Sequence, residues 1–436
     1  MIEILNILLQ IFIFLIIFSF PFTERSLNNT LKLKNIKLEL IDSHVINIII
    51  FSYLCLIVSF LDIDLKLFFK IYFSITLLFV LLNIKFFYDR IKKNDFIKFV
   101  FFFLVILSIF IFIAQNLKLE WDGHVWISKA IIFLNNEQIT NLNNTLHADY
   151  PHLGSYLWAF FWSNSLLELE YFGRFFFVYL YVLSTFLIFK ILNVNNDFIK
   201  IFLILFFILL TFEPYYFGGY QEYLIFSSLI IASRYIYIYN LNGSKNIKLI
   251  FLALLILYIS CWFKNEGKIY FVIFSGTLIY FANINHYKKI LLTLLIISLL
   301  LIQYFLQKYL ISSSGSSDVN YIMNFLQNFK DINLLFTKLF KILLNMIIVF
   351  VKHPLWVVIF LAIFAQIFFV KKINQNVKYF LTCLFLNLIV ITGIYMGMKD
   401  IDFILRVTLD RVLFQTSGFY LILFLSIINF KMINQK

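Results

Sequence analysis

Between residues 117 and 158 the chain sets acidic, basic and imidazole side chains among aromatic ones: Glu120, Asp122, His124, Trp126 and Lys129, then His147, Asp149, Tyr150 and His152. If residues 122–133 are helical, Asp122, Trp126, Lys129 and Phe133 share a face. Seven residues turn through roughly 700°, so Asp122 and Lys129 nearly eclipse, ~10.5 Å apart along the axis. A carboxylate and an ammonium about one sugar ring apart suit an attacking hydroxyl and a departing phosphate, respectively. The plainer reading is a solvated helix start, with Asp122 as cap and Lys129 snorkelling. In an extended strand Glu120 and Asp122 would share a face instead. With His124, and with His147, Asp149 and His152 nearby, they would then offer O and N ligands to a divalent cation. Trp121 and Trp158 fit an aromatic belt at a membrane boundary.

Three later positions carry similar chemistry. Glu222 follows Gly218 and Gly219, which permit a close backbone approach. Glu213, before Pro214, is a rival second acid. Lys264 stands two residues before Glu266, which is placed to orient it, and Arg411 follows Asp410. Lys129, Lys264 and Arg411 are the candidate ligands for a phosphate, arginine alone offering a bidentate fork. Each has a structural alternative: snorkelling for Lys264, local pairing with Asp410 for Arg411, and an ordinary helix N-terminus for Glu222.

These residues must be positioned by membrane helices. Of 436 residues, 62% are hydrophobic and 14% charged, and mean hydropathy is +0.92, which excludes a soluble domain and a disordered chain. Apolar runs predict an all-α polytopic protein with about thirteen spans, near 2–22, 44–61, 67–84, 99–116, 171–191, 201–217, 221–240, 247–263, 269–285, 290–310, 354–370, 379–397 and 412–430. The first run lacks a basic flank and a cleavage site, so it reads as a helix rather than a signal. With residue 1 outside, one set of connections holds 20 Lys and Arg in 72 residues, and the opposite set holds 12 in 130. The positive-inside bias makes the first set cytoplasmic. The net charge of +13 then reflects topology and not nucleic-acid binding. The long connections 117–170 and 311–353 face outward. Within the second, 312–317 is serine-rich and 321–352, with Lys330, Lys338, Lys341 and Lys352, reads as an interfacial helix or a lid over the site. Residues 150–167 also read as interfacial. Cys55, Cys261 and Cys383 lie far apart in apolar runs, as buried thiols do.

The run Trp121, Asp122, Trp126, Lys129, Ala130, followed by His147, Asp149, Tyr150 and Pro151, resembles the first external loop of GT-C glycosyltransferases. These polytopic enzymes include protein O-mannosyltransferases and bacterial lipid A aminoarabinose transferases, and the likeness is greatest to uncharacterised bacterial members. Gly218 to Glu222 is similar to the family's second acidic loop, Lys264 to Gly267 to its Lys-Asn-Glu-Gly turn, and Arg411 to its late external arginine. The likeness spans 99–415. It departs in the three helices that precede it, in His152 after Tyr150-Pro151, and in Glu222 where Asp is commoner.

The resemblance implies accessory helices in 1–98 and a GT-C-like catalytic membrane domain in 99–436. It implies a polyprenyl-phosphate sugar donor, a glycan or lipid acceptor, and transfer to a hydroxyl or amine with inversion at the outer face of the cytoplasmic membrane. Asp122 and Glu222 would be catalytic, with Lys129, Lys264 and Arg411 on the donor phosphate. Trp126, His147, Asp149, Tyr150 and Glu266 would bind substrate, with no cofactor beyond a possible divalent cation. Two other classes fit such a sequence. A polysaccharide polymerase or O-antigen ligase would rely on later Arg/His-rich loops, and a lipid-linked sugar transporter on paired charges in mid-membrane.

Overall fold

The computed structural model describes residues 2–18, 21–31, 38–83, 93–192, 197–241, 246–310, 326, 332–369 and 375–433. All regular structure among them is helical. The α-helices are α1 (Ile2–Ile17), α2 (Glu24–Leu31), α3 (Leu40–Ser59), α4 (Leu65–Leu82), α5 (Lys93–Asn116), α6 (Trp121–Leu134), α7 (Leu153–Ser163), α8 (Phe175–Phe189) and α9 (Asp197–Thr211). There follow α10 (Glu222–Leu241), α11 (Ile247–Phe263), α12 (Glu266–Phe281), α13 (His286–Leu310), α14 (Ile332–Lys352), α15 (Pro354–Phe369), α16 (Gln375–Met396) and α17 (Asp410–Ile433). Among the described residues, eight stretches are long and apolar enough to cross a bilayer: α3, α4, Lys98–Asn116, Glu170–Phe189, α10, His286–Lys308, α14 and α16. Helices α1, α9, α11 and α15 contribute shorter apolar segments.

Burial grades these helices by position. The spanning window of α10 is 94% buried and that of Glu170–Phe189 fully so, whereas α13 and α14 bury only 17% of theirs. A helix apolar all round belongs at the centre, and one that turns Leu301 and Phe305 outward faces lipid. Helix α10 is the axis of the bundle, packed by α8, α11 and α17. Helix α3 reaches the same centre: Tyr53 donates to the Leu255 carbonyl, and Asp42 accepts from Arg234 of α10 at 2.8 Å. The three cysteines are buried and free.

Connections meet at two ends. At one, residues 117–123 lie against 217–219, and the 264–266 turn against α10 and α17. At the other, Lys190 pairs with Glu39, and Lys248 donates to the Thr30 carbonyl at 2.7 Å. This is the grouping expected from the positive charges.

Several expectations are corrected locally. The run 201–217 is not one helix: α9 stops at Thr211, because Pro214 disfavours helix before it and opens a 3₁₀ turn, Pro214–Phe217. Trp158 is not a boundary residue; it is fully buried, and its indole N–H donates to Glu170 at 3.0 Å. Residues 153–163 form an eleven-residue helix, buried along nearly its whole length and too short to cross. Separately, the run 321–352, expected as an interfacial helix or a lid, is helical from Ile332 to Lys352, which by length and composition could equally span. The stretch 312–317 and Lys330 lie outside the described residues.

Candidate functional site

Helix α6 begins at Trp121 and carries Asp122 in its first turn. Its inward face is the expected one: Trp126, Lys129 and Phe133 are buried, and Asp122 is partly exposed. The start of α6 is fixed by backbone contact. The Glu120 N–H donates to the Gly218 carbonyl at 3.1 Å, and a Cβ on Gly123 would lie 2.1 Å from that same oxygen. Gly219 takes φ +104°, a conformation that favours glycine, directly against Gly123. Two chain segments nearly a hundred residues apart thus approach at main-chain distance, and Glu222 follows three residues later at the head of α10.

Arg411 joins the two acids. It lies two residues after a π-helical turn, Leu405–Leu409, which runs into α17; such turns widen a helix and re-aim the residues that follow. Its Nη2 donates to Asp122 Oδ2 and, at 2.6 Å, to Glu222 Oε1, while its Nε donates to that same oxygen at 2.8 Å. The guanidinium lies 4.4 Å from the centroid of the Tyr220 ring, a cation–π contact. Lys264, at the end of α11, donates to Glu222 Oε1 at 3.0 Å and pairs with Glu266 at 3.3 Å. Burial alone would pull Lys264 down, but Glu222 and Glu266 outweigh it and hold its pKa above the ordinary lysine value. The five side chains come from four parts of the chain. All three carboxylates sit in first turns, of α6, α10 and α12, where the helix dipole favours negative charge.

Beside this network lies a cavity of about 230 Å³. Asp122, Lys264, Glu266 and Arg411 supply its polar wall, Trp126, His147 and Tyr150 its aromatic wall, and Val407, Thr408 and Val412 the remainder with Val125. Glu222 is fully buried and does not line it. It is the shared counter-ion that fixes two cations, so its contact with a bound molecule is indirect. Glu266 Oε2 is buried and, among the described residues, has no hydrogen-bond partner.

Lys129 takes a different position from the other cations. It is fully buried and donates to the carbonyls of His147, at 2.6 Å, and Tyr150, at 3.0 Å, with its Nζ 5.3 Å from the Trp126 ring. Burial pulls its pKa down to about 7, against the attraction of Asp149. It does not line the cavity; it ties to α6 the loop bearing His147, itself held at φ +54°. Asp149 acts on Lys129 and Lys268 through its charge and is not in the cavity wall.

Of the metal candidates, Glu120 and His124 are exposed and do not converge on Asp122. Among the described residues no three His, Cys, Asp or Glu side chains form a metal-holding group. His152 is buried, its Nε2 2.8 Å from Ser59 Oγ, and burial lowers its pKa to about 3.

Two features had no readable signal. One is the π-helical turn, which supplies Val407 and Thr408. The other lies behind Arg411: His353, between α14 and α15, hydrogen-bonds Asp410 through Nε2, with Glu213 close enough for its charge to act on both. Burial opposes a proton on His353, but the bond and charge of Asp410 outweigh it and raise its pKa; burial raises that of Glu213.

Compared with known proteins, the chain matches no family model, no curated protein and no solved structure.

Proposed function

We propose that this chain is a membrane glycosyltransferase that moves a sugar from a polyprenyl-phosphate carrier to a hydroxyl or amine at the outer face of the cytoplasmic membrane. The observation that carries the reading is the joining of Asp122, Glu222, Lys264 and Arg411, spread over 290 residues, into one charged network beside a cavity. The same four positions carry the resemblance to GT-C enzymes. In the proposed topology about thirteen helices cross, with the N-terminus outside and the C-terminus in the cytoplasm. Helix α14 is interfacial: its end reaches Asp410 through His353, while Lys338 and Lys341 tie its earlier turns to Met398 and Asp402, on the outer side of the network.

In the reaction Asp122 accepts the acceptor's proton as the acceptor atom attacks the anomeric carbon from the face opposite the phosphate. The bond from that carbon to the phosphate oxygen breaks, its electron pair leaves with the polyprenyl phosphate, and configuration inverts. Arg411 and Lys264 compensate the charge on the leaving group, and a positioned base contributes ~10²–10⁴-fold. Trp126, His147, Tyr150 and Glu266 hold the sugar. The test is transfer of label from radiolabelled polyprenyl-phosphate sugars to cell-envelope extract by purified protein. Wild type is expected to transfer and Asp122→Asn to lose at least about a hundredfold; equal transfer by both would remove Asp122 as base.

One observation favours a second reading. The buried Asp42–Arg234 pair is the sort of intramembrane charge that a lipid-linked sugar transporter uses. A transporter would tolerate Asp122→Asn and fail on loss of Asp42.

A further inference from the structure

Arg411 has two carboxylate partners of very different accessibility. Glu222 has no exposed side-chain surface and is also held by Lys264. The Asp122 side chain is 29% exposed and lines the cavity, and among the described residues its ion pair is with Arg411. The guanidinium gives Nε and Nη2 to Glu222 and shares Nη2 with Asp122, so its Nη1 hydrogens remain for an incoming anion, but a phosphate at the cavity wall then lies against the Asp122 carboxylate that lines it, and withdrawal of one acid relieves the repulsion. Glu222 cannot leave without stranding its own buried charge and taking from Lys264 and Arg411 the counter-ion they share. Asp122 can turn toward water.

From this we propose that Asp122 is stored as the displaceable counter-ion of Arg411, and that a phosphate-bearing ligand takes its place. Anion binding and release of the Asp122 carboxylate are then one event. This deepens the proposed reaction by giving it an order. Without donor phosphate the carboxylate is occupied by Arg411; with phosphate on Arg411 it is free to accept the acceptor's proton. Donor binds first, and a site holding acceptor alone does not activate it.

The consequence is opposite to that of an ordinary ligand-binding carboxylate. Removing the competing charge should strengthen phosphate binding even as it abolishes transfer. Affinity would be measured calorimetrically on the purified full chain in detergent, with inorganic phosphate in one arm and undecaprenyl phosphate in mixed micelles in the other. Asp122→Asn and Asp122→Ala are each expected to bind about tenfold tighter than wild type, the loss of one charge-assisted competitor. Asp122→Glu, which keeps the competitor, should bind like wild type, and Arg411→Gln should lose binding. A gain in both arms places the exchange on the phosphate itself; a gain only with undecaprenyl phosphate places it on the lipid-borne headgroup. Unchanged or weaker binding by Asp122→Asn and Asp122→Ala, or no binding by any form, overturns the exchange. If the gain appears while wild type transfers sugar from no donor, the exchange stands and the transferase reading falls. If wild type transfers without the gain, the reverse holds.

Discussion

Lys129 and Lys264 are both buried lysines, yet their surroundings give them opposite tasks. Lys264 faces two carboxylates and stays charged, whereas Lys129 faces carbonyl oxygens and an indole and loses its hold on the proton near neutrality. The sequence, with Asp122 and Lys129 one face apart, suggested a phosphate ligand; the face is right, but what covers it comes from residues 147–150 and has no local signature. Asp122, Glu222, Lys264 and Arg411 were legible as charges in connections expected on one side of the membrane, although each also had an ordinary helix-end reading. A prediction follows from the sign of the Lys129 shift. Its folded value of about 7 lies below the ordinary 10.5, so between these the unfolded chain binds the extra proton and stability rises with pH. The difference in unfolding free energy between wild type and Lys129→Met should therefore grow in favour of wild type from pH 7 to 9.5, by at most about 1.4 kcal/mol per pH unit. A difference flat with pH would show that Lys129 is charged in the fold.

Among the elements, helix ends do the positioning. Helices α6, α10 and α12 each present a first-turn acid, and α17 presents the arginine that binds two of them. Helix α14 is, with α13, the least embedded of the candidate spans, burying only Lys338, Ile342 and Met346, and it is tied to the 398–410 segment by Lys338, Lys341 and His353. Its apolar run was visible in the sequence; these ties were not, because each joins residues some sixty apart. The His353 tie depends on its proton. Its folded pKa is raised above 6.5, so its contribution is fully present below that value and is lost as pH rises through the folded value. The melting temperature of wild type should exceed that of His353→Gln most at pH 6, and the gap should narrow by pH 9. A gap that widens with pH would contradict the assignment.

At the scale of the molecule, α10 carries charge near both ends. Glu222 and Arg234 are about 18 Å apart along its axis, the first in the candidate site and the second locked to Asp42. The spans were readable from hydropathy, but this pair was not: Asp42 looks like a helix-start acid, and its burial needs α3 packed into the centre. Asp42→Asn should cost about 3–5 kcal/mol by leaving Arg234 uncompensated, whereas replacing both residues with leucine should cost less, read as thermal stability in detergent. Equal losses would mean the pair is not coupled.

The proposed sugar transfer runs through Asp122 at the outer face. Membrane vesicles of defined orientation, loaded with labelled polyprenyl-phosphate sugar and given membrane-impermeant acceptor outside, test this directly. Right-side-out vesicles bearing wild-type protein should label the acceptor, and inverted vesicles or those bearing Asp122→Asn should not. Labelling confined to inverted vesicles, or undiminished by the substitution, would contradict it.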